Sequence, residues 1–253
     1  MHVAGIWRYP VKSMQGEAVE VAEVEGDGVR YDRAWGVRSL GTGRILTGRR
    51  RPELLLASAR LEGERPQITL PGGGMVNGPG ASTDAALSEW LGEPVELVAA
   101  GDVPAGMAEY FADATDDTSS ALEWAMPVGR FVDAQPVLLL TDAALAAGAE
   151  LYPAGDWEIR RFRPNVLVAG APPGWTEDHW VDKTVAIGAT AAIIPLAPCQ
   201  RCTMVTRPQP QLDRDLDIYR TLLRHHAGTL GVWSAVARPG PIRVGDAVDL
   251  VST

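Results

Sequence analysis

The amino-acid sequence predicts a mainly β chain with a few helices, of the α+β class. Three observations carry that expectation. Apolar and polar side chains alternate through the first hundred residues. Glycine-rich turns, Asp27-Gly28, Gly41-Thr42-Gly43 and Gly72-Gly73-Gly74, punctuate them at hairpin spacings. Segments with a helical apolar period are few and short.

The elements follow in order. Val19, Val21 and Val24 mark one strand, and residues 34–37 and 54–61 read as two more. A helix is expected over 82–91, capped by Ser82 or Thr83, with Ala86, Leu87 and Trp90 on its apolar face. Residues 102–129 are rich in Asp, Thr, Ser, Ala and Gly and read as a linker or mobile loop between a domain over 1–101 and another over 130–253. Then come a buried strand at 136–140, a helix capped by Thr141 or Asp142 running towards Leu151, and strands near Val166, Val185 and Ile193. A further helix spans 212–225, and 231–236 with 242–250 reads as a closing pair of strands. No repeat is visible.

The chain has 253 residues, 46% of them apolar, enough for a sizeable core without disulfide staples. Its 23 Lys and Arg stand against 32 Asp and Glu, a net charge of -9, which argues against a nucleic-acid or anionic-membrane binder while leaving room for local basic pockets. No apolar run approaches the ~20 residues of a membrane helix, and the N-terminus lacks a secretory pattern, so a cytoplasmic protein is expected. Two cysteines, Cys199 and Cys202, are too few for an iron–sulfur cluster, so electrons for any redox chemistry must come from elsewhere.

Cys199-Gln200-Arg201-Cys202 is the most informative stretch. A thioredoxin-like dithiol wants a helix after its first cysteine, whereas Thr203-Met204-Val205-Thr206 is strand-like. Zinc needs two more ligands, and His225-His226 are adjacent instead of spaced. A disulfide does not suit a reducing compartment. Two readings stay open: one thiolate ligates a soft metal or carries sulfur, or both cysteines are small buried apolar residues.

Two basic segments, Tyr9-Pro10-Val11-Lys12-Ser13 and Arg160-Arg161-Phe162-Arg163-Pro164-Asn165, combine cations with a hydroxyl or amide, a mixture that holds a phosphate or polar heterocycle; taken singly, each also reads as a proline-punctuated surface turn. Arg30, Arg33, Arg49, Arg50 and Arg51 form a third cluster, read as a solvated hairpin face. There is no dinucleotide fingerprint, Walker sequence, Gly-x-Ser-x-Gly elbow or His-Glu-x-x-His, and His2, His179, His225 and His226 read as surface or supporting residues.

Tyr9-Pro10-Val11-Lys12-Ser13, Tyr31-Asp32-Arg33, Phe162-Arg163-Pro164-Asn165, Pro198-Cys199-Gln200-Arg201-Cys202-Thr203 and Ile242-Arg243-Val244-Gly245-Asp246 stand in the order seen in MOSC-domain proteins. Over nearly its whole length the chain resembles the subgroup with an N-terminal β-barrel domain, typified by the mitochondrial amidoxime-reducing component and its bacterial relatives. The resemblance implies an N-terminal antiparallel β-barrel-like domain over 1–101 and a C-terminal MOSC β-barrel with flanking helices over 130–253. It implies a molybdenum cofactor between them, with Cys202 as catalytic residue and metal ligand, and with Lys12, Ser13, Arg33, Arg163 and Asn165 holding the pterin and its phosphate, joined by the Thr141 hydroxyl.

The implied activity is oxidoreduction: removal of oxygen from small N-hydroxylated substrates, with electrons from a separate ferredoxin-, flavodoxin- or cytochrome-type protein, and with no nucleic-acid or membrane partner. The alternative is a sulfur-carrier or sulfur-transfer module acting through a Cys202 persulfide; 253 residues leave no room for a pyridoxal-phosphate domain beside the MOSC region. A non-catalytic binding module is a third reading. After Cys202 the sequence departs from those reductases, which continue with two threonines and an acid before proline. Here Met204-Val205-Thr206-Arg207-Pro208 follows, a difference that bears on substrate choice.

Overall fold

The structure is a computed structural model that describes residues 1–104, 106–111 and 119–251. Among the described residues three α-helices, α1 (Ala81–Leu91), α2 (Asp142–Leu151) and α3 (Leu216–His226), lie between many short strands. Eight strands form the main sheet, in the order Val248–Val251, Thr184–Ile187, Ala191–Gln200, Thr229–Arg238, Val137–Thr141, Val166–Ala169, His2–Arg8, Glu17–Ala18. Neighbours run antiparallel except Val137–Thr141 and Val166–Ala169, whose parallel register requires a crossover, supplied by the segment that contains α2.

The sheet curls until its ends meet. His2 bridges Ala247, the Val3 N–H donates to Asp246 O at 2.9 Å, and the Gly245 N–H donates to Val3 O at 2.8 Å. Inside lie Val3, Ile6, Val24, Val137, Val166, Val185, Ile193, Val232 and Val248, one face of alternating strands, each contributing on the order of 1.5–3 kcal/mol by burial. The sheet therefore crosses the division drawn at residue 101: the first strand completes the C-terminal barrel, and Gly240–Arg243 returns to pair with Val21–Glu25, Ile242 opposite Ala22.

The rest of the N-terminal half is a set of small antiparallel sheets, Trp35–Ser39 with Val95–Ala99 and the meander Ser58–Glu62, Arg65–Thr69, Met75–Asn77. With α1 they enclose Val11, Met14, Val37, Leu54, Ile68, Leu87 and Leu97.

Several elements differ from expectation. α1 starts behind Gly80 with no side-chain cap, because Thr83 is buried beneath the helix instead of capping it. Residues 52–56 make a 3-10 turn opened by Pro52 before the strand Ser58–Glu62 begins. α3 begins at Leu216 with Asp215 accepting from the Asp217 N–H, since Leu212 is buried in a tight turn in which it and Gln209 exchange backbone hydrogen bonds. The last strands do not pair with each other: each finds a partner elsewhere in the barrel. α2 is capped as expected, the Thr141 hydroxyl accepting from the Ala144 N–H at 3.0 Å. Within 102–129, Met107–Phe111 and Ala121–Ala125 pair as a hairpin; residues 105 and 112–118 of that segment lie outside the described residues.

Candidate functional site

A cleft opens where the two halves meet. Lys12, Ser13, Arg33 and Arg49 line it from one side, and Asp133, Arg161, Phe162, Arg163, Cys199, Arg201, Cys202 and Trp233 from the other. It holds about 750 Å³ of non-protein space, counting the part open to solvent.

Local sequence explains how each group arrives. Val11 and Met14 are buried in the N-terminal core, and the Lys12 N–H donates to Trp35 O at 2.8 Å, so Lys12 and Ser13 between them face away from that core. Ser13, Arg33 and Arg163 all adopt left-handed backbone, with φ of 68°, 50° and 54°. Such conformations are uncommon in non-glycine residues and gather at functional sites. Tyr9 lies between two of them, its ring 5.1 Å from the Arg33 guanidinium and 4.2 Å from that of Arg163. Its own N–H donates to Asp32, which is also ion-paired to Arg33.

The cysteines are unlike each other. Cys199 is the penultimate residue of a barrel strand, is buried, and accepts from Arg201 Nη1 at 3.0 Å; burial pushes its thiol up. Cys202 is partly exposed and accepts from Arg49 Nε at 3.1 Å. The strand-like sequence after it forms instead a single 3-10 turn, Thr203–Thr206, closed by the Thr206 hydroxyl donating to Thr203 O at 2.8 Å. That turn seats Val205 in the core between α2 and α3 and leaves Cys202 at the cleft.

Electrostatics favour an anion. Lys12 Nζ donates to Asp133 Oδ1 at 2.6 Å and to Phe131 O at 2.8 Å, and burial pulls its ammonium below the ordinary lysine range. Desolvation opposes ionisation of Asp133, but Arg49 and Lys12 outweigh it and hold the carboxyl well below the usual range. Arg161 spends its donors on the backbone carbonyls of Asp156, Val205, Arg207 and Asp213. Arg163 gives Nη1 to Met14 O at 2.7 Å, and burial lowers its guanidinium to about 10. Its Nη2, like Nε of Arg201, is buried with no hydrogen-bond partner among the described residues. Both are cleft residues, so two donors remain for a ligand.

Of the residues named from the sequence, Lys12, Ser13, Arg33, Arg163 and Cys202 come together at the cleft; Thr141 and Asn165 do not line it. Thr141 caps α2 and donates to Glu177 Oε2 at 2.6 Å. Asn165 clips three strands, accepting from the Leu138 N–H at 3.1 Å and donating to Trp7 O at 3.3 Å. Asp133 was missed; the visible signal is an acid just ahead of a buried strand. Arg49 belongs to the cluster read as a solvated face, yet its guanidinium lies in the cleft. His226 pairs with Asp178 and stacks on Trp175, away from the cleft.

A β-barrel completed by the first strand, over a cationic cleft with one partly exposed thiol, defines a class. The family model of the MOSC domain matches residues 127–249, and that of the MOSC N-terminal beta barrel domain matches residues 1–114; the chain belongs to the MOSC-domain family. Its relatives include mitochondrial amidoxime reducing component 2 of Bos taurus, 25% identical over 97% of this chain and 82% of that protein. Mitochondrial amidoxime-reducing component 1 of Mus musculus is 27% identical over 98% of this chain and 82% of its own length. The molybdenum cofactor sulfurase of Oryza sativa subsp. japonica is 26% identical over 83% of this chain but 28% of that protein. The YUAD protein from Bacillus subtilis shares the fold, with a TM-score of 0.50 at 13% identity, covering 100% of this chain and 96% of that one.

Proposed function

We propose that the cleft takes a molybdenum cofactor, with Cys202 as the protein's thiolate, and that the chain reduces N-hydroxylated compounds with electrons from a separate donor protein. The observation that carries this reading is the pairing of a partly exposed thiol with two unpartnered, buried guanidinium donors in one cationic cleft. Among the described residues no three His, Cys, Asp or Glu side chains gather for a metal, so a metal held at Cys202 needs a ligand that brings its own donors, as a dithiolene does. A phosphate on that ligand suits Arg163 and Arg201, each hydrogen bond to it being charge-assisted.

When bound, the cofactor would supply two-electron redox chemistry at the thiolate of Cys202. The chain's own contribution is positional and electrostatic. Lys12, Ser13, Arg33 and Arg163 hold the anionic ligand, Cys202 anchors the metal, and Asp133 keeps Lys12 and Arg49 in place. Thr141 and Asn165 act behind this shell, through the barrel strands they pin. Arg207 is buried and donates to Arg49 O at 3.3 Å, so the cation that follows Thr206 supports the backbone that carries Arg49. Reduction of an N–OH group takes two electrons and two protons and releases an amine and water. A cytoplasmic setting belongs to this proposal, although the names of the amidoxime-reducing relatives place those proteins in mitochondria; no helix among the described residues is long and apolar enough to cross a membrane.

The test is elemental analysis of protein from a host that makes the cofactor, followed by assay against amidoximes, hydroxylamines, N-oxides and sulfoxides. Stoichiometric molybdenum with reduction of an N–O substrate supports the reading. The relative named molybdenum cofactor sulfurase supports a second: sulfur carriage on Cys202. Absence of metal together with uptake of sulfane sulfur by Cys202 replaces the first reading with that one.

A further inference from the structure

We infer that Arg49 is the positioning residue of the Cys202 sulfur, held to that task by Asp133. One edge of its guanidinium is divided between two partners, Nε donating to Cys202 Sγ at 3.1 Å and Nη2 to Asp133 Oδ2 at 2.7 Å. Asp133 is fixed from its other oxygen by Lys12 at 2.6 Å, and Lys12 by Phe131 O at 2.8 Å. The chain of contacts thus runs from the backbone of Phe131 to the sulfur.

The backbone that carries Arg49 is equally constrained. The Gly48 N–H donates to Ser13 Oγ at 2.8 Å, and the N–H groups of Arg50 and Arg51 both return to Thr47 O. A planar guanidinium presents two parallel N–H groups at fixed separation, so with its far donor on Asp133 the near one fixes the direction of the sulfur. An ammonium carries three donors on a freely turning head, so it sets no such fixed direction. Cys199, on Arg201, is served by a separate cation.

The role towards a metal rests on the proposed function, whereas the role towards the sulfur belongs to the chain alone, and the experiment separates them. Cofactor-free protein labelled with [13Cβ]cysteine gives two cysteine resonances, assigned with C199S. R49Q is expected to shift the Cys202 resonance and leave Cys199 in place, D133N to shift Cys202 in the same direction, and R49K to behave as R49Q. In cofactor-loaded protein, molybdenum retained after dialysis should fall about tenfold in R49Q. An unmoved Cys202 resonance in R49Q overturns the inference, as does an equal shift of Cys199, which indicates general loosening. A wild-type spectrum in R49K also overturns it, because charge alone then suffices. If the wild-type protein takes up no molybdenum, the proposed function fails while the resonances still decide the role of Arg49.

Discussion

The two cysteines, three residues apart, each accept from an arginine but differ in exposure, which decides access to a metal. Cys199 is buried among strand residues with its thiol pushed up by burial, and Cys202 stands at the cleft under Arg49. Cys202→Ser should therefore abolish bound molybdenum while Cys199→Ser reduces it mildly, as measured by metal content per chain; equal losses would sink the assignment of the ligand. Arg163→Ala removes a buried guanidinium that holds Met14 O and has a donor to spare. A charge-assisted hydrogen bond contributes ~1.5–3 kcal/mol, so cofactor retention should drop roughly tenfold or more, read by dialysis followed by metal analysis. Full retention would return Arg163 to the role of a structural turn residue.

At the scale of elements, the start of α2 concentrates a different chemistry. Thr141 accepts from Ala144 N–H and donates to Glu177, whose other carboxyl oxygen is buried without a hydrogen-bond partner among the described residues. Burial pushes the Glu177 carboxyl up to about 7 from 4.5. A folded-state value above the unfolded one means the associated stability is fully present below pH 4.5 and is lost as pH rises through 7, a swing of about 3 kcal/mol at most. Glu177→Gln carries no such charge. It should match the wild type near pH 5 and exceed it in denaturant midpoint at pH 8.5, and a constant difference across that range would contradict the assignment. Thr141→Val should cost about 1–2 kcal/mol through the lost cap, seen in urea unfolding, with molybdenum content little changed because the hydroxyl does not line the cleft.

The whole molecule sets the source of electrons. Two cysteines are too few to ligate an iron–sulfur cluster, and no dinucleotide fingerprint is present in the sequence. Molybdenum-loaded protein should reduce an N-hydroxylated substrate with reduced viologen or a ferredoxin or cytochrome system, and should do nothing with NADPH alone. Turnover of purified protein on NADPH would disprove this.

The sequence by itself determined the β character, the cap of α2 and the segments that reach the cleft. Alternation of apolar residues and turn glycines are local properties, and Lys12, Ser13, Arg33, Arg163 and Cys202 sit in segments of distinctive composition. Tertiary structure alone decided the rest. Residues 2–8 complete the barrel because their partners, 166–169 and 246–247, lie far along the chain, and no local period records such a pairing. Thr203–Thr206 has β propensity yet turns as a 3-10 segment, since burying Val205 under α3 outweighs a weak local preference. Asn165 looks like a ligand residue in its motif, but the fold sets its amide between Leu138 and Trp7, off the cleft lining. Arg49 looks like one solvated arginine of five, and only the fold, by bringing Asp133 and Cys202 to opposite ends of one guanidinium edge, gives it something to hold.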